Sequence, residues 1–181
     1  FRALRGDGPK LRLIGNLPYN VSTPLLFHFI SQLDAFADMH FMLQKEVVVR
    51  MAAAPGSGDY GRLTVMLAPH VKVERLFDIG AGAFRPAPRV TSTFFALTPH
   101  ATTPFEIADQ AAFAAVVAAA FSKRRKTLRN ALMGLLDVAG IVAAGVDPGA
   151  RAETLAPARF AALADEWVAR RGDAPGVIPA E

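Results

Sequence analysis

The sequence predicts an α/β layered domain followed by an all-helical one. Strands and helices alternate through the first 98 residues, which is the pattern of a sheet with helices packed on it. Pro99 and Pro104 then bracket a polar stretch that reads as a boundary. Beyond it every apolar pattern has helical spacing. The expected division is therefore 1–98 and 99–181.

The elements follow in order. Phe1–Lys10 is a short amphipathic piece closed by Gly-Asp-Gly-Pro. Leu11–Ile14 reads as a buried strand. It runs into a tight turn, Gly15-Asn16-Leu17-Pro18-Tyr19-Asn20. Ser22 or Thr23 is placed to cap a helix with Pro24 in its first turn. That helix carries the stripe Leu25, Leu26, Phe29, Ile30 and Leu33. Met39–Leu43 is a strand, Lys45–Ala53 a helix, Pro55–Tyr60 a loop and Arg62–Ala68 a helix. Val71–Ile79 alternates as a strand does. Gly80–Arg89 is irregular, and Ser92–Leu97 closes the first domain as a strand. The second domain is expected to hold helices over Gln110–Phe121, Arg124–Leu136, a short piece near Ile141, and Pro157–Arg170, with Phe160 and Trp167 as bulky packing. The tail from Gly172 is expected to fray.

Composition excludes several classes. The 181 residues are 52% hydrophobic, and the mean hydropathy is +0.27. No run of about 18 uncharged apolar residues occurs, so a membrane-spanning helix is not expected. Cysteine is absent, which removes disulfides, thiol catalysis and cysteine-ligated zinc. The four histidines are scattered and none pairs at metal-ligand spacing, so no metal is expected. No signal peptide opens the chain, and a cytoplasmic protein is the expectation. The net charge is +4, with an isoelectric point near 9.8. The second domain holds nine cations against nine anions, and five of those cations crowd into Phe121–Asn130. A dense cationic spot in a neutral domain suggests a docking surface for a polyanion. Lys45, Arg50 and Arg62 are weaker candidates for the same role.

Three motifs compete for the chemistry. Gly56-Ser57-Gly58-Asp59-Tyr60-Gly61 matches a dinucleotide fingerprint in letters, but Ala52-Ala53-Ala54-Pro55 before it reads as a helix end, where the fingerprint needs a strand. A surface loop is expected there. Asp78-Ile79-Gly80-Ala81-Gly82 follows a strand, as the cofactor turn of an S-adenosylmethionine enzyme does. Such a turn leads into a helix, whereas Phe84-Arg85-Pro86-Ala87-Pro88 follows, and two prolines that close oppose a helix interior. That reading would require a circularly permuted methyltransferase. The third motif, Asn16-Leu17-Pro18-Tyr19, ends a strand, where open α/β sheets place ligands. The bland alternative is a plain turn with Asn and Pro in ordinary roles. The chemical reading is methylation of a nucleobase amine. Such an amine is a poor nucleophile, because its lone pair is delocalised into the ring. The Asn16 side-chain oxygen and the Leu17 carbonyl can accept its two hydrogens and let the nitrogen pyramidalise. Pro18 fixes the turn without a competing N–H, and Tyr19 offers a face on which a flipped base stacks.

The run Gly15–Pro24 resembles the catalytic motif of the ribosomal RNA adenine dimethyltransferases. Collinear likenesses follow at Met39–Val47, Tyr60–Val65, Phe84–Ser92 and the basic run Phe121–Asn130. The Met39–Val47 and basic runs are more similar to the bacterial small-subunit (16S) enzymes than to the antibiotic-resistance methylases of large-subunit RNA. The resemblance implies the C-terminal part of a Rossmann-like S-adenosylmethionine methyltransferase sheet followed by a small helical RNA-binding domain. It implies dimethylation of two adjacent adenines near the 3′ end of small-subunit ribosomal RNA, and a role in small-subunit maturation. Asn16 would lie between cofactor and target amine, Leu17 and Pro18 would shape the amine pocket, and Tyr19 and Phe84 would flank the adenine. Lys123, Arg124, Arg125, Lys126 and Arg129 would contact RNA. The partner implied is the immature small subunit, and a monomer is expected. In the family the glycine-rich cofactor loop precedes the catalytic motif, so about the first third of the family's length is expected to be missing here. The isolated chain is accordingly expected to be inactive. The alternative is a non-catalytic assembly factor that docks on the immature small subunit.

Overall fold

The structure is a computed structural model that describes residues 1–123 and 125–172. The described chain divides into two compact units. The first joins Phe1–Ala54 with Leu67–Pro104, and the second joins Pro55–Met66 with the chain from Phe105 onward. Residues 55–66, expected among the first 98, thus pack with the helical unit.

The first unit is built on a four-stranded sheet: β1 (Leu11–Asn16), β2 (Phe36–Gln44), β3 (Val71–Ile79) and β4 (Ser92–Pro99), in spatial order β1-β2-β4-β3. β1 and β2 run parallel, with Ile14 opposite His40 and Asn16 opposite Met42. β4 runs antiparallel to both β2 and β3. Helices α1 (Arg2–Arg5), α2 (Ser22–Ile30) and α3 (Lys45–Met51) complete this unit. One sheet face is closed by apolar side chains, and Met39, Phe41, Leu43, Phe95 and Leu97 on it are fully or almost fully buried. Phe41 stacks on Phe29 of α2 at 5.3 Å and meets Phe95 at 6.1 Å, so aromatic rings link helix, β2 and β4. The opposite face is more open, with Ile14 at 65% exposure and Phe77 at 58%. The mixed sheet with helices on it, followed by helices, is the fold class the sequence predicts.

Two local expectations change. Neither Ser22 nor Thr23 caps α2, which follows a 3-10 turn over Tyr19–Val21 and has Val21 at its N-cap. The Ser22 hydroxyl instead donates back to the Tyr19 carbonyl at 3.1 Å, because the turn brings that carbonyl three residues behind it. The helix also stops at Ile30, and Leu33 lies in a separate 3-10 turn.

The second unit holds α4 (Arg62–Leu67, its last residue in the first unit), α5 (Gln110–Phe121), α6 (Leu128–Ala131), α7 (Val138–Ala143) and α8 (Pro157–Gly172). α5 starts at Asp109, whose carboxylate accepts from the Ala111 and Ala112 N–H groups and satisfies two of the helix's free donors. α8 packs on α5 and α7, and Phe160 stacks on Phe121 at 5.5 Å. Tyr60 is buried, with its ring edge on Phe121 and its hydroxyl donating to the Leu155 carbonyl at 2.7 Å. Burial pushes its phenol well above the usual tyrosine range. Trp167 is half-buried, and the Arg171 guanidinium lies 5.1 Å over its ring.

The helix expected over Arg124–Leu136 shrinks to the single turn α6. Thr127 is extended, with ψ 160°, which breaks any helix arriving from Lys123. The first N–H groups of α6 are then taken from outside: Leu128 donates to Ala150 and Arg129 to Pro148. Gly134, at φ +95°, turns the chain away at the other end, a conformation open to glycine without a steric penalty.

Candidate active site and cationic segment

The Asn16–Tyr19 turn sits where parallel strand β1 ends. Asn16 is the last strand residue, opposite Met42, and the Leu17 N–H donates to the Met42 carbonyl at 3.2 Å. That bond ties the turn to β2. Leu17 is 5% exposed and anchors the turn in the core, which leaves Asn16 and Pro18 exposed. Pro18 is extended at φ −60°, ψ 129°, and its carbonyl accepts from Val21 to start the 3-10 turn. Tyr19 is thereby lifted to the surface, at 40% exposure.

The opposite wall comes from the loop that joins β3 to β4. Ile79 and Ser92 are paired across these strands, so the loop closes at its base. Its tip brings Phe84, Pro86 and Pro88 against the turn. These three, with Asn16, Leu17, Pro18 and Tyr19, line one concavity of about 280 Å³. Residues 16–19 and Phe84, singled out as catalytic candidates in the sequence, lie together here. Such a concavity, mostly apolar with one carboxamide at its edge, suits a flat aromatic ligand with a polar rim.

Two sets of polar contacts lie at the start of β4. The Tyr19 hydroxyl and the Ser92 Oγ share a hydrogen bond at 2.9 Å, and Ser92 is fully buried. Next to it, the Thr93 hydroxyl donates to Asp78 Oδ1 at 2.6 Å, while Lys45 Nζ lies 2.7 Å from Asp78 Oδ2 and Arg75 3.8 Å from Oδ1. The hydrogen bonds from Lys45 and Thr93 hold the Asp78 carboxyl below its usual range. Asp78 thus serves in an ion cluster. The turn after it is a 3-10 turn over Ala81–Ala83, not the helix that an S-adenosylmethionine loop leads into. Gly56–Gly61 likewise follows a helix end and not a strand.

Ser92, Pro86 and Pro88 were not picked out individually as site residues. The signal was present for the prolines, which share the Phe84–Ser92 run. Ser92 is a small polar residue at the start of an apolar strand, and only the tertiary structure gives it a partner.

The cationic segment lies in the second unit. Lys123, Arg125 and Lys126 are exposed in a turn in which the Lys126 N–H donates to the Lys123 carbonyl at 2.9 Å. Arg129 is exposed on α6, whose Leu128 and Leu132 contacts are fully buried. Arg124 falls outside the described residues. The weaker candidates fare differently: Lys45 is ion-paired with Asp78 and Arg50 with Glu46, whereas Arg62 is exposed at the start of α4.

A model of the ribosomal RNA adenine dimethylase family matches residues 4–168. The chain belongs to the ribosomal RNA adenine dimethylase family. A protein of Pseudomonas putida named ribosomal RNA small subunit methyltransferase A is 55% identical over 178 residues, covering 92% of this chain and 67% of the relative. Its namesake in Methylococcus capsulatus is 54% identical, over 86% of this chain and 60% of that protein. The chain thus spans two thirds or less of the length of such relatives. Among solved structures, a dimethyladenosine transferase from Plasmodium falciparum superposes with a TM-score of 0.75 at 24% identity, over 90% of this chain and 69% of that one. A 23S rRNA methyltransferase, ErmE, superposes at 0.62 with 22% identity, over 88% and 66%. These two likenesses establish the shared methyltransferase fold. Among the described residues no helix is long and apolar enough to cross a membrane, and no three His, Asp or Glu side chains converge as metal ligands would.

Proposed function

We propose that this chain carries the adenine pocket and an RNA-docking segment of an enzyme that dimethylates the exocyclic amines of two adjacent adenines near the 3′ end of small-subunit ribosomal RNA. One observation carries the reading. The Asn16–Tyr19 turn and the Phe84 loop, 65 residues apart in sequence, meet around a single concavity at the C-terminal end of a parallel strand. The names of the curated relatives give the same substrate RNA.

The chemistry follows from the walls. A flipped adenine stacks between Tyr19 and Phe84, with Pro86 and Pro88 closing its edge. Its amine then faces the Asn16 carboxamide oxygen and the Leu17 carbonyl. These acceptors take the two N–H groups and favour a pyramidal nitrogen whose lone pair points away from the ring. S-adenosylmethionine supplies an electrophilic methyl group on a sulfonium. The exposed Asn16 carboxamide, beside an apolar pocket and with no carboxylate among its lining residues, fits the edge of such a donor. With that donor bound, its methyl group would be the one transferred to the amine nitrogen that Asn16 and the Leu17 carbonyl hold, with the thioether as leaving group and the amine proton released to water. Alignment, rather than a strong base, supplies most of the rate. Lys123, Arg125, Lys126 and Arg129, with Arg124 as the sequence suggests, hold RNA phosphates without reading sequence.

The test uses the chain alone and a completed protein, in which the portion of the Pseudomonas putida relative outside the match is joined to it. Each is incubated with tritiated S-adenosylmethionine and small subunits lacking the modification, and the RNA is digested to nucleosides. Labelled dimethyladenosine is expected from the completed protein, with little or none from the chain alone. Asn16→Ala should lower that transfer roughly a hundredfold, the scale of losing one aligned polar group in an active site, while subunit binding stays intact. Binding without any label from the completed protein would favour an assembly factor on a methyltransferase scaffold.

A further inference from the structure

We propose that Ser92 is a positioning residue for the methyl-transfer site, acting through Tyr19. This inference rests on the reading that the concavity holds the target base. Tyr19 stands at 40% exposure, where a tyrosine ring ordinarily samples several rotamers. Here it is held at both ends. Its backbone is fixed by the 3-10 turn, and its carbonyl accepts from Ser22. Its tip is fixed by the hydroxyl pair with Ser92 at 2.9 Å.

Ser92 is suited to the task because it cannot itself move. It is fully buried, and it is paired with Gln44 of β2 on one side and Ile79 of β3 on the other. The next residue, Thr93, is bonded to Asp78, which is in turn paired with Lys45. A buried hydroxyl without a partner is costly, so the serine needs the tyrosine as much as the tyrosine needs the serine.

The consequence is geometric. Ser92 also closes the base of the loop that carries Phe84, through its pairing with Ile79. Ser92 thus lies at the base of one wall and holds the other through the Tyr19 hydroxyl. The Tyr19 face is set before any base arrives, and a base that enters loses less ordering free energy on stacking. Removing either hydroxyl frees the aromatic ring at position 19 to move without removing it.

The experiment has two arms. In the first, the chain is labelled with carbon-13 in its tyrosine rings. It contains two tyrosines, and Tyr60→Phe assigns the signals. Ser92→Ala should lower the Tyr19 ring order parameter, and Ser92→Thr, which keeps a hydroxyl, should restore it. In the second, the completed protein is assayed for methyl transfer as Tyr19→Phe, Ser92→Ala and the double variant. Each single variant should lose about tenfold in kcat/KM, the effect of roughly one hydrogen bond, and the double variant should lose no more than either. Rescue by Ser92→Thr separates positioning from damage to the strand, and thermal melting of each variant checks that the fold is kept. An unchanged ring order in Ser92→Ala overturns the proposal, as does a double variant whose losses multiply. A ring that loosens with no change in transfer overturns it too. Failure of the unsubstituted completed protein to label adenine is a different result, which sinks the proposed function itself.

Discussion

Replacing Tyr60 with phenylalanine tests how the 55–66 segment is held in the helical unit. Tyr60 is 5% exposed, and its ring contact with Phe121 at 6.1 Å survives in phenylalanine. What is lost is the hydroxyl and its 2.7 Å bond to the Leu155 carbonyl, across 95 residues of sequence. Truncating one partner of a buried hydrogen bond costs about 1–2 kcal/mol, more than the net worth of an exposed bond, because the remaining acceptor is left dry. For a chain of this size that lowers the melting temperature by about 2–8 °C. The same hydroxyl has an alkaline signature. Its folded pKa lies above the unfolded value of about 10, so the folded state favours the neutral phenol. The stability it contributes is complete below about pH 10 and is lost as pH rises above it, because the unfolded chain ionises first. The gap between the parent protein and Tyr60→Phe should therefore narrow on going from pH 8 to above 10. Circular dichroism melts of both proteins at several pH values measure this. Equal melting temperatures at pH 8, or a gap that stays constant into alkali, would refute the reasoning.

Three further outcomes follow from the same structure. Leu128→Ala removes a fully buried side chain from the base of the cationic segment; it should destabilise the protein by about 2–5 kcal/mol in denaturant titration. Replacing Lys123, Arg125 and Lys126 with glutamine, all exposed, should leave stability nearly unchanged. Each phosphate contact so lost should flatten the slope of log affinity for ribosomal RNA against log salt by about 0.7–0.9, and an unchanged slope would count against contact. His70 is held below the ordinary histidine value of about 6.5, first by burial and then by His100. Its neutral form is favoured in the folded state, so stability is complete above that value and falls as pH drops below it. Melting temperatures between pH 7.5 and 5 should fall less steeply in His70→Gln than in the parent protein.

The strands were readable because their signals are local. Val71–Ile79 alternates, and its ends fall where Gly80 and Pro69 punctuate the chain. Gln110–Phe121 was equally plain, since Asp109 offers a cap and no helix breaker intervenes until Ser122. The stretch after Lys123 was not readable. Leu128 and Leu132 fall four apart, as they do on a long helix, and nothing local marks Thr127 as a break. Its cause is tertiary: the carbonyls of Pro148 and Ala150 take the N–H groups that a longer helix would have bonded internally. The packing of residues 55–66 with the second unit is hidden for the same reason. In sequence Tyr60 is an ordinary loop tyrosine, and only the Leu155 carbonyl makes it an anchor.

The site divides along the same line. Asn16–Tyr19 could be singled out in the sequence because it ends a strand and offers two acceptors, although a plain turn would read the same way in the letters. Phe84 came only through the likeness to a family, since no rule of spacing joins two loops 65 residues apart. What joins them is strand pairing, with Ile79 against Ser92 and Ser92 against Gln44. A parallel strand can deliver the asparagine turn to the sheet's edge, but it cannot fix what stands opposite. The antiparallel pair β3–β4 does that: its closed end projects the proline-stiffened loop back towards the turn, and its first inward residue is small enough to leave room for a tyrosine hydroxyl. Alanine at position 92 would leave the Tyr19 hydroxyl without its partner. The residue that looks least informative in the Phe84–Ser92 run is thus the one that holds the Tyr19 wall.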